Sequence, residues 1–314
     1  MQNSVVIIGA SIADVIGMPN EPLKKGDSTP GKVLVSPGGV ARNIAENIKR
    51  LGENVTLISA FGNDLFGKNI MFHSREIDID IKHSIINNEK ATSFYLLITN
   101  DSGNLELAIS DTSIIEEISH HYIKIKSSLI REHKLIVVDT NLPTDTLHFI
   151  TENFQNQPIF IDLVSASKAK KVIDIIGKFH TIKPNIIEAE ILSGIKYEKE
   201  SDLLKMRDFF LNKGVKQLFI SMNSKGSFFA NSETYGRVSG SEINPINSSG
   251  AGDAYMSGLI YCFLNKKLIE ETACFAASCS LVALFHEKAV NPEISVNLVT
   301  ETINKYSIKN YKLI

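Results

Sequence analysis

Ser36-Pro37-Gly38-Gly39-Val40-Ala41-Arg42-Asn43-Ile44-Ala45-Glu46-Asn47-Ile48-Lys49-Arg50-Leu51-Gly52 runs on through Glu53 and Asn54 into Val55-Thr56-Leu57-Ile58-Ser59. The two glycines let another group lie against the backbone where a helix begins. Val40, Ile44, Ile48 and Leu51 then fall at i, i+4, i+8 and i+11, which predicts one apolar face of a helix over 40–51. The run Val55–Ser59 is nearly continuous rather than alternating in apolar character, the pattern of a strand covered on both faces. Comparable runs recur at Val5–Ile8, Leu135–Val138, Pro158–Ile161 and Gln217–Ser221. Helical patterns lie between them, such as Ser201–Lys213, which meets Gly214 as a C′ residue. Strand and helix alternate over most of the 314 residues. The expectation is a single α/β domain over 1–314: a doubly wound, mostly parallel sheet flanked by helices, with right-handed crossovers.

Two segments break that rhythm. Ile12–Ser36 is rich in Pro, Gly and Lys, holds no good helix, and carries the strand-like run Lys32-Val33-Leu34-Val35. Ala91–Ser110 reads as a hairpin, with Ser93–Thr99 and Leu105–Ser110 on either side of Asn100-Asp101-Ser102-Gly103-Asn104. Residues of about 12–36 and 91–110 are therefore expected to form a small β lid over a crevice at the strand ends. Lys168-Ala169-Lys170-Lys171 reads as the solvated face of a helix, and the apolar stretch Cys274–Leu284 as a buried one.

Composition removes several functions. Lys plus Arg is 33 against 35 for Asp plus Glu, a formal charge of −2, so binding nucleic acid by neutralising phosphates is not expected. The three cysteines, Cys262, Cys274 and Cys279, have no CxxC spacing, which argues against a zinc ribbon or disulfide scaffold and suits a reducing compartment. No apolar run approaches the ~20 residues that span a bilayer, and Val5–Ile8 is too short for the core of a signal peptide. A cytoplasmic protein without a membrane partner is expected.

Two motifs mislead. Gly62-Asn63-Asp64-Leu65-Phe66-Gly67-Lys68-Asn69 nearly matches a phosphate loop but ends in Asn where a magnesium-binding hydroxyl belongs, and reads as a turn and helix start. Gly250-Ala251-Gly252-Asp253-Ala254-Tyr255 begins like a dinucleotide fingerprint but has Tyr255 in place of the third glycine. The informative reading of Asn247-Ser248-Ser249-Gly250-Ala251-Gly252-Asp253 is different. Small residues lead into the apolar run Ala254–Leu264, leaving the N–H groups of the first turn free and the positive end of the helix dipole facing outward. That is an anion site. Asp253 sits in the same turn, where it either caps the helix or accepts the proton of a hydroxyl attacking phosphorus. The start at Gly38-Gly39, with the amide of Asn43 in its first turn, suits a neutral polyol.

The pair G-G-x-x-x-N and G-A-G-D resembles the ribokinase-like (PfkB) carbohydrate kinases, and the resemblance covers nearly the whole chain. It implies that Asp253 is the catalytic base and that the amides of Gly250, Ala251 and Gly252 form an anion hole for the γ-phosphate of ATP. It also implies that Asp14, Gly38, Gly39 and Asn43 bind ribose hydroxyls. Lys183-Pro184-Asn185-Ile186-Ile187-Glu188 resembles the family's N-x-x-E element, implying Asn185 at the nucleotide and Glu188 holding Mg2+ through water. Ser221-Met222-Asn223-Ser224-Lys225-Gly226 resembles the T-x-G-x-x-G nucleotide loop, with Ser for Thr and Asn for the first Gly, implying Ser221 and Gly226 there. Taken one at a time, Asp14 reads equally as a turn residue, Asn43 as a polar helix face, and Asn185 with Glu188 as a capping box. Arg42 and Lys225 read as surface charges.

Asn247 stands where the family has an Asp that helps hold a monovalent cation, which leaves that cation an open possibility. The family also places adenine near the start of Cys274–Leu284. Asn141, in Val138-Asp139-Thr140-Asn141-Leu142-Pro143, stands where ribokinases use a Glu against the sugar; an amide both donates to and accepts from a uracil edge or a ribose hydroxyl. Phe94 or Tyr95 could stack on a base. Within the family the segment 36–45 resembles the pseudouridine kinases, which implies ATP-dependent phosphorylation of the 5′-hydroxyl of pseudouridine. A ribokinase, a fructokinase or another nucleoside kinase is the alternative, as is a non-catalytic sugar- or nucleotide-binding regulator. Free lid edges imply a homodimer by the same resemblance.

Overall fold

The computed structural model describes residues 4–101, 105–240, 243 and 245–311. The hairpin tip Ser102-Gly103-Asn104 lies outside the described residues. In chain order the strands are β1 (Ser4–Ile8), β2 (Ile12–Pro19), β3 (Gly31–Gly38), β4 (Asn54–Ile58), β5 (Ala60–Gly62), β6 (Ile85–Asn87), β7 (Phe94–Thr99) and β8 (Leu105–Asp111). They continue with β9 (Leu135–Asp139), β10 (Ile159–Asp162), β11 (Thr181–Ile182), β12 (Gln217–Ser221), β13 (Ser227–Ala230), β14 (Tyr235–Val238) and β15 (Asn310–Tyr311).

Nine of these form the main sheet among the described residues, in the order β15-β14-β13-β12-β11-β10-β9-β1-β4. The pairings from β4 to β12 are all parallel, and the three toward β15 are antiparallel. The continuous apolar runs follow from coverage on both faces. In β9, Ile136 and Val138 enter one core while Leu135 and Val137 enter the other. One layer is built on Leu147, Ile150, Leu203, Met206 and Phe210 from the helices Thr144–Asn153 and Glu200–Lys213. The opposite layer takes Ala41, Ile44 and Ile48 from the helix Val40–Arg50, and Met256, Leu259 and Ile260 from Ala251–Leu264. Each fully buried Ile or Leu there contributes about 1.5–3 kcal/mol. Gly214 ends Glu200–Lys213 in the left-handed conformation expected of it.

The irregular segments form a second sheet, in the order β3-β2-β7-β8. Ile12–Ser36 supplies two strands where its sequence marked only one, because β2 is interrupted by Gly17 and closed by Pro19. The pair β2–β7 is parallel and the outer pairs are antiparallel. Val33, Leu34 and Val35 of β3 and Leu105, Leu107 and Ile109 of β8 are exposed. Among the described residues no helix is long and apolar enough to cross a membrane.

Candidate active site

The helix Ala251–Leu264 begins at Gly250 with φ of 79°, and no side chain caps it. A Cβ on Gly250 would come 1.8 Å from the carbonyl oxygen of Ala289, so the tight entry depends on glycine. The first-turn amides of this helix have no partner within it and no capping side chain. Asp253 in that turn is only 8% exposed. Its Oδ2 accepts from Nδ2 of Asn43 at 2.8 Å, a bond between the two glycine-rich helix starts. Ser257 ties the same helices: its Oγ donates to the Asp253 carbonyl at 2.7 Å and to that of Ile44 at 3.4 Å. Burial pushes the Asp253 carboxyl up to about 8; the charges of Asp162 and Asp139 add to this, while Asn43 and Lys183 oppose it. A carboxyl poised near neutrality suits proton exchange with a hydroxyl.

Asn43 is positioned by the helix Val40–Arg50, which starts at Gly39 with φ of 95°. Arg42 is not a surface charge. It is 2% exposed, with both terminal nitrogens of its guanidinium engaged: Nη1 donates to Oδ1 of Asn43 at 3.0 Å and to the Pro37 carbonyl at 3.1 Å, and Nη2 pairs with Glu46. Lys225 is exposed, as its charge suggests. Asp14 on β2 lies against Gly38, whose added Cβ would come 1.9 Å from Asp14 Oδ2. Burial raises the Asp14 carboxyl to about 6, with Arg42 opposing. Asp14, Gly38, Gly39, Asn43 and Asp253 thus form one linked series of neighbours.

Lys183 was not singled out by its sequence, yet it sits at the centre. It is 7% exposed, its Nζ is 3.4 Å from Oδ2 of Asp162, and a Cβ on Gly252 would lie 3.3 Å from that Nζ. Burial works against its charge, but Asp162, Glu188 and Asp253 together hold its pKa above the ordinary lysine value. The available signal is its place just after β11, at the carboxyl end of a buried parallel strand. Asn185 caps the helix Ile186–Ser193 in a capping box with Glu188, with both reciprocal bonds at 2.9 Å. Glu188 is buried, which raises its carboxyl despite Asn185 and Lys183. Asn185 also bridges Ser221 at the end of β12.

A cavity of about 590 Å³ opens on Lys183, Asn185, Glu188 and Asp253, while Asp14, Gly38, Gly39, Asn43 and Gly250 are not in its lining. Gly252, Asp253, Lys183, Glu188, Ser221 and Gly226 line its polar part, and Ile243, Ala277, Leu281 and Leu284 give it an apolar wall. The last three come from the helix Ile269–Leu284, which starts five residues before the apolar stretch read from the sequence. An apolar wall leading to free amides and a buried ammonium fits a nucleotide, base first and phosphates inward.

A model of the pfkB family carbohydrate kinases matches residues 2–295. The chain belongs to the PfkB family. It is 36% identical to the pseudouridine kinase of Escherichia coli (strain K12), over 98% of each sequence. The crystal structure of a putative sugar kinase from Clostridium perfringens superposes with a TM-score of 0.89 at 34% identity, covering 99% of both chains. A putative ribokinase II from E. coli, solved with ATP and Mg2+, shares the fold with a TM-score of 0.82 at 16% identity, covering 96% of this chain and 99% of that one. The fold is ribokinase-like, and this PfkB kinase is a phosphotransferase acting on an alcohol group.

Asn141, Asn247 and Phe94 do not line the Asp253 cavity. Asp139 ends β9 and accepts from the amides of Ala10 and Asn141, each at 2.9 Å; burial raises its carboxyl to about 6. Asn141 opens on a separate cavity of about 380 Å³ with Lys168 and Lys171. The lysine run is not simply solvated: Lys168 Nζ donates to Asn141 Oδ1 at 2.5 Å, and Lys171 Nζ to the carbonyls of Thr140 and Leu142, each at 3.0 Å. Lys170 alone of the three is exposed. The Asn247 amide links Ser249 and Glu287. Phe94 meets Phe66 edge-to-face, with ring centroids 4.7 Å apart, so its ring is already engaged. At the near phosphate loop, Asp64 caps the helix Leu65–Glu76 by accepting from Gly67 N at 2.8 Å, which fills that turn with a carboxylate rather than a phosphate.

Proposed function

We propose that this PfkB kinase transfers the γ-phosphoryl group of ATP to the 5′-hydroxyl of pseudouridine. The observation that carries the chemistry is the Asp253 carboxylate, held by Asn43 in the opening turn of an uncapped glycine-rich helix. Asp253 takes the proton of the attacking hydroxyl, and the amides of Gly250, Ala251 and Gly252 donate to oxygens of the phosphoryl group in flight. Lys183, beside Gly252, adds a fixed positive charge where negative charge gathers. Asp14, Gly38, Gly39 and Asn43 orient the ribose. Asn185, Ser221 and Gly226 line the nucleotide side of the cavity.

ATP supplies the phosphoryl group, and the apolar wall of the cavity suits its adenine. No cluster of three or more His, Cys, Asp or Glu side chains able to hold a metal occurs among the described residues. Mg2+ would be held mainly by phosphate oxygens and water. Glu188 has one oxygen in its capping box, leaving the other to reach such a water. The exposed apolar face of the lid supports a homodimer paired through the lid, and three buried, unpaired cysteines fit a reducing cytoplasm.

Similarity to a pseudouridine kinase along the full chain supports the choice of nucleoside. The test is ADP release with ATP and a panel of pseudouridine, uridine, ribose and fructose. Pseudouridine should give the highest kcat/KM. A tenfold preference for ribose or fructose, or no turnover with any of them, defeats the proposal.

A further inference from the structure

An asparagine amide has two ends of nearly the same shape, one that accepts and one that donates. At Asn43 the donating end faces Asp253: Nδ2 lies 2.8 Å from Asp253 Oδ2, and both side chains are buried. The accepting end faces Arg42, whose Nη1 donates to Oδ1 at 3.0 Å. A guanidinium has donors and no acceptor. Turning the Asn43 amide over would set donor against donor at Arg42 and oxygen against carboxylate at Asp253. Arg42 therefore decides which end of Asn43 the carboxylate meets.

The guanidinium is itself held from several elements. Nη1 also donates to the carbonyl of Pro37, directly before Gly38-Gly39, at 3.1 Å. Nη2 pairs with Glu46 one turn along the same helix and lies 3.1 Å from Nδ1 of His73 on the helix Leu65–Glu76. Glu46 is fixed in turn by Arg50, whose Nε donates to its Oε1 at 2.8 Å. Asp14 on β2 is close enough for its charge to act on Arg42. A buried ion pair is weak evidence for stability, because apolar residues of similar volume often serve as well. Arg42 Nε, moreover, is buried without a partner. What a guanidinium adds over an apolar side chain at this place is direction.

We propose that Arg42 is a positioning residue for phosphoryl transfer: it fixes the Asn43 amide with Nδ2 toward Asp253 and so aims the carboxylate in the free enzyme. The proposal rests on Asp253 as the base. Its action runs through Asn43. Asp162 and Asp139, at the ends of β10 and β9, and Lys183, after β11, are the charges that act most strongly on Asp253, and Arg42 is not among them. Without Arg42 the amide is free to turn its oxygen to Asp253. There it accepts from the protonated carboxyl and retains the proton that must be absent for catalysis.

The test is a double-mutant cycle on kcat with wild type, Arg42→Met, Asn43→Ala and the double variant. It uses ATP and whichever of pseudouridine, uridine, ribose and fructose the wild type phosphorylates fastest. Arg42→Met should lower kcat about 10- to 100-fold, with the ATP KM within about threefold of wild type. In the Asn43→Ala background the same substitution should change kcat by less than about twofold. A kcat within about twofold of wild type in Arg42→Met overturns the inference. So does an equal loss with and without Asn43, or a parallel rise in the ATP KM, either of which makes Arg42 a residue of the general packing. Should Arg42→Met not fold, Arg42→Lys keeps a cation for Glu46 without the fork that also reaches Asn43, and the same thresholds decide. Turnover near wild type in Asp253→Asn, or no turnover of the wild type on any of the four acceptors, defeats the base assignment and this inference together. Loss of turnover in Asp253→Asn beside an indifferent Arg42→Met defeats only the inference.

Discussion

Replacing Asp253 by Asn isolates the proton-accepting step from everything else the side chain does. The amide has the same shape, and its oxygen can accept from Asn43 Nδ2, so the 2.8 Å bond between the two helix starts is kept. What disappears is the basic oxygen. A positioned general base contributes about 10²- to 10⁴-fold, or about 3–5.5 kcal/mol of barrier, so kcat should fall by that factor while the dissociation constants of ATP and nucleoside stay near wild type. Stability should move the opposite way. A carboxyl raised to about 8 favours the folded state only while it is protonated, so the stability linked to it is lost as pH rises through that value. Asp253→Asn should therefore unfold at a higher temperature than wild type at pH 9, with a smaller difference at pH 6. Initial rates of ADP release at saturating substrates, calorimetric binding of each substrate, and thermal unfolding at the two pH values measure all three effects. Turnover within tenfold of wild type, or a loss explained by weaker binding, refutes the assignment of the base.

Three further outcomes follow from the same geometry. In the wild-type enzyme kcat/KM should climb with pH toward about 8, because Asp253 must be ionised to take a proton; a pH–rate profile flat from pH 6 to 9 contradicts this. Gly250→Ala places a methyl 1.8 Å from the Ala289 carbonyl at a φ of 79°, so the opening turn must shift, and kcat should drop at least about tenfold in the same ADP-release assay. Lys183→Met strands the carboxylates of Asp162, Glu188 and Asp253 without their cation. Breaking such a buried set costs about 3–5 kcal/mol, read by urea unfolding, and it should shift the rising limb of the pH–rate profile to higher pH.

Much of the molecule is written locally. The parallel strands are visible because burial on two faces demands apolar residues without interruption, as in Leu135–Val138. The helix 40–51 is visible because one stripe must be apolar. The two glycine-rich starts are visible because a helix entry at positive φ calls for glycine, as at Gly39 and Gly250. What escapes is decided by partners far away in the chain. Arg42 and Lys168 look like solvent-facing charges until Glu46, Asn43 and Asn141 are seen to surround them. Lys183 looks like a strand-end lysine until Asp162 from β10 is found beside it. The antiparallel edge β13–β15 is also hard to read: its strands are short, and β15 joins it through two residue pairs among the described residues. The capping box of Asn185 and Glu188, by contrast, lies within four residues and is legible from spacing alone.

The bond from Asn43 to Asp253 closes a loop of 210 residues. Under the proposed chemistry, an amino-terminal fragment that stops before the helix Ala251–Leu264 lacks the base and turns over no ATP. The helices joined by that bond also pack against one sheet face, so the bond rests on the same packed core.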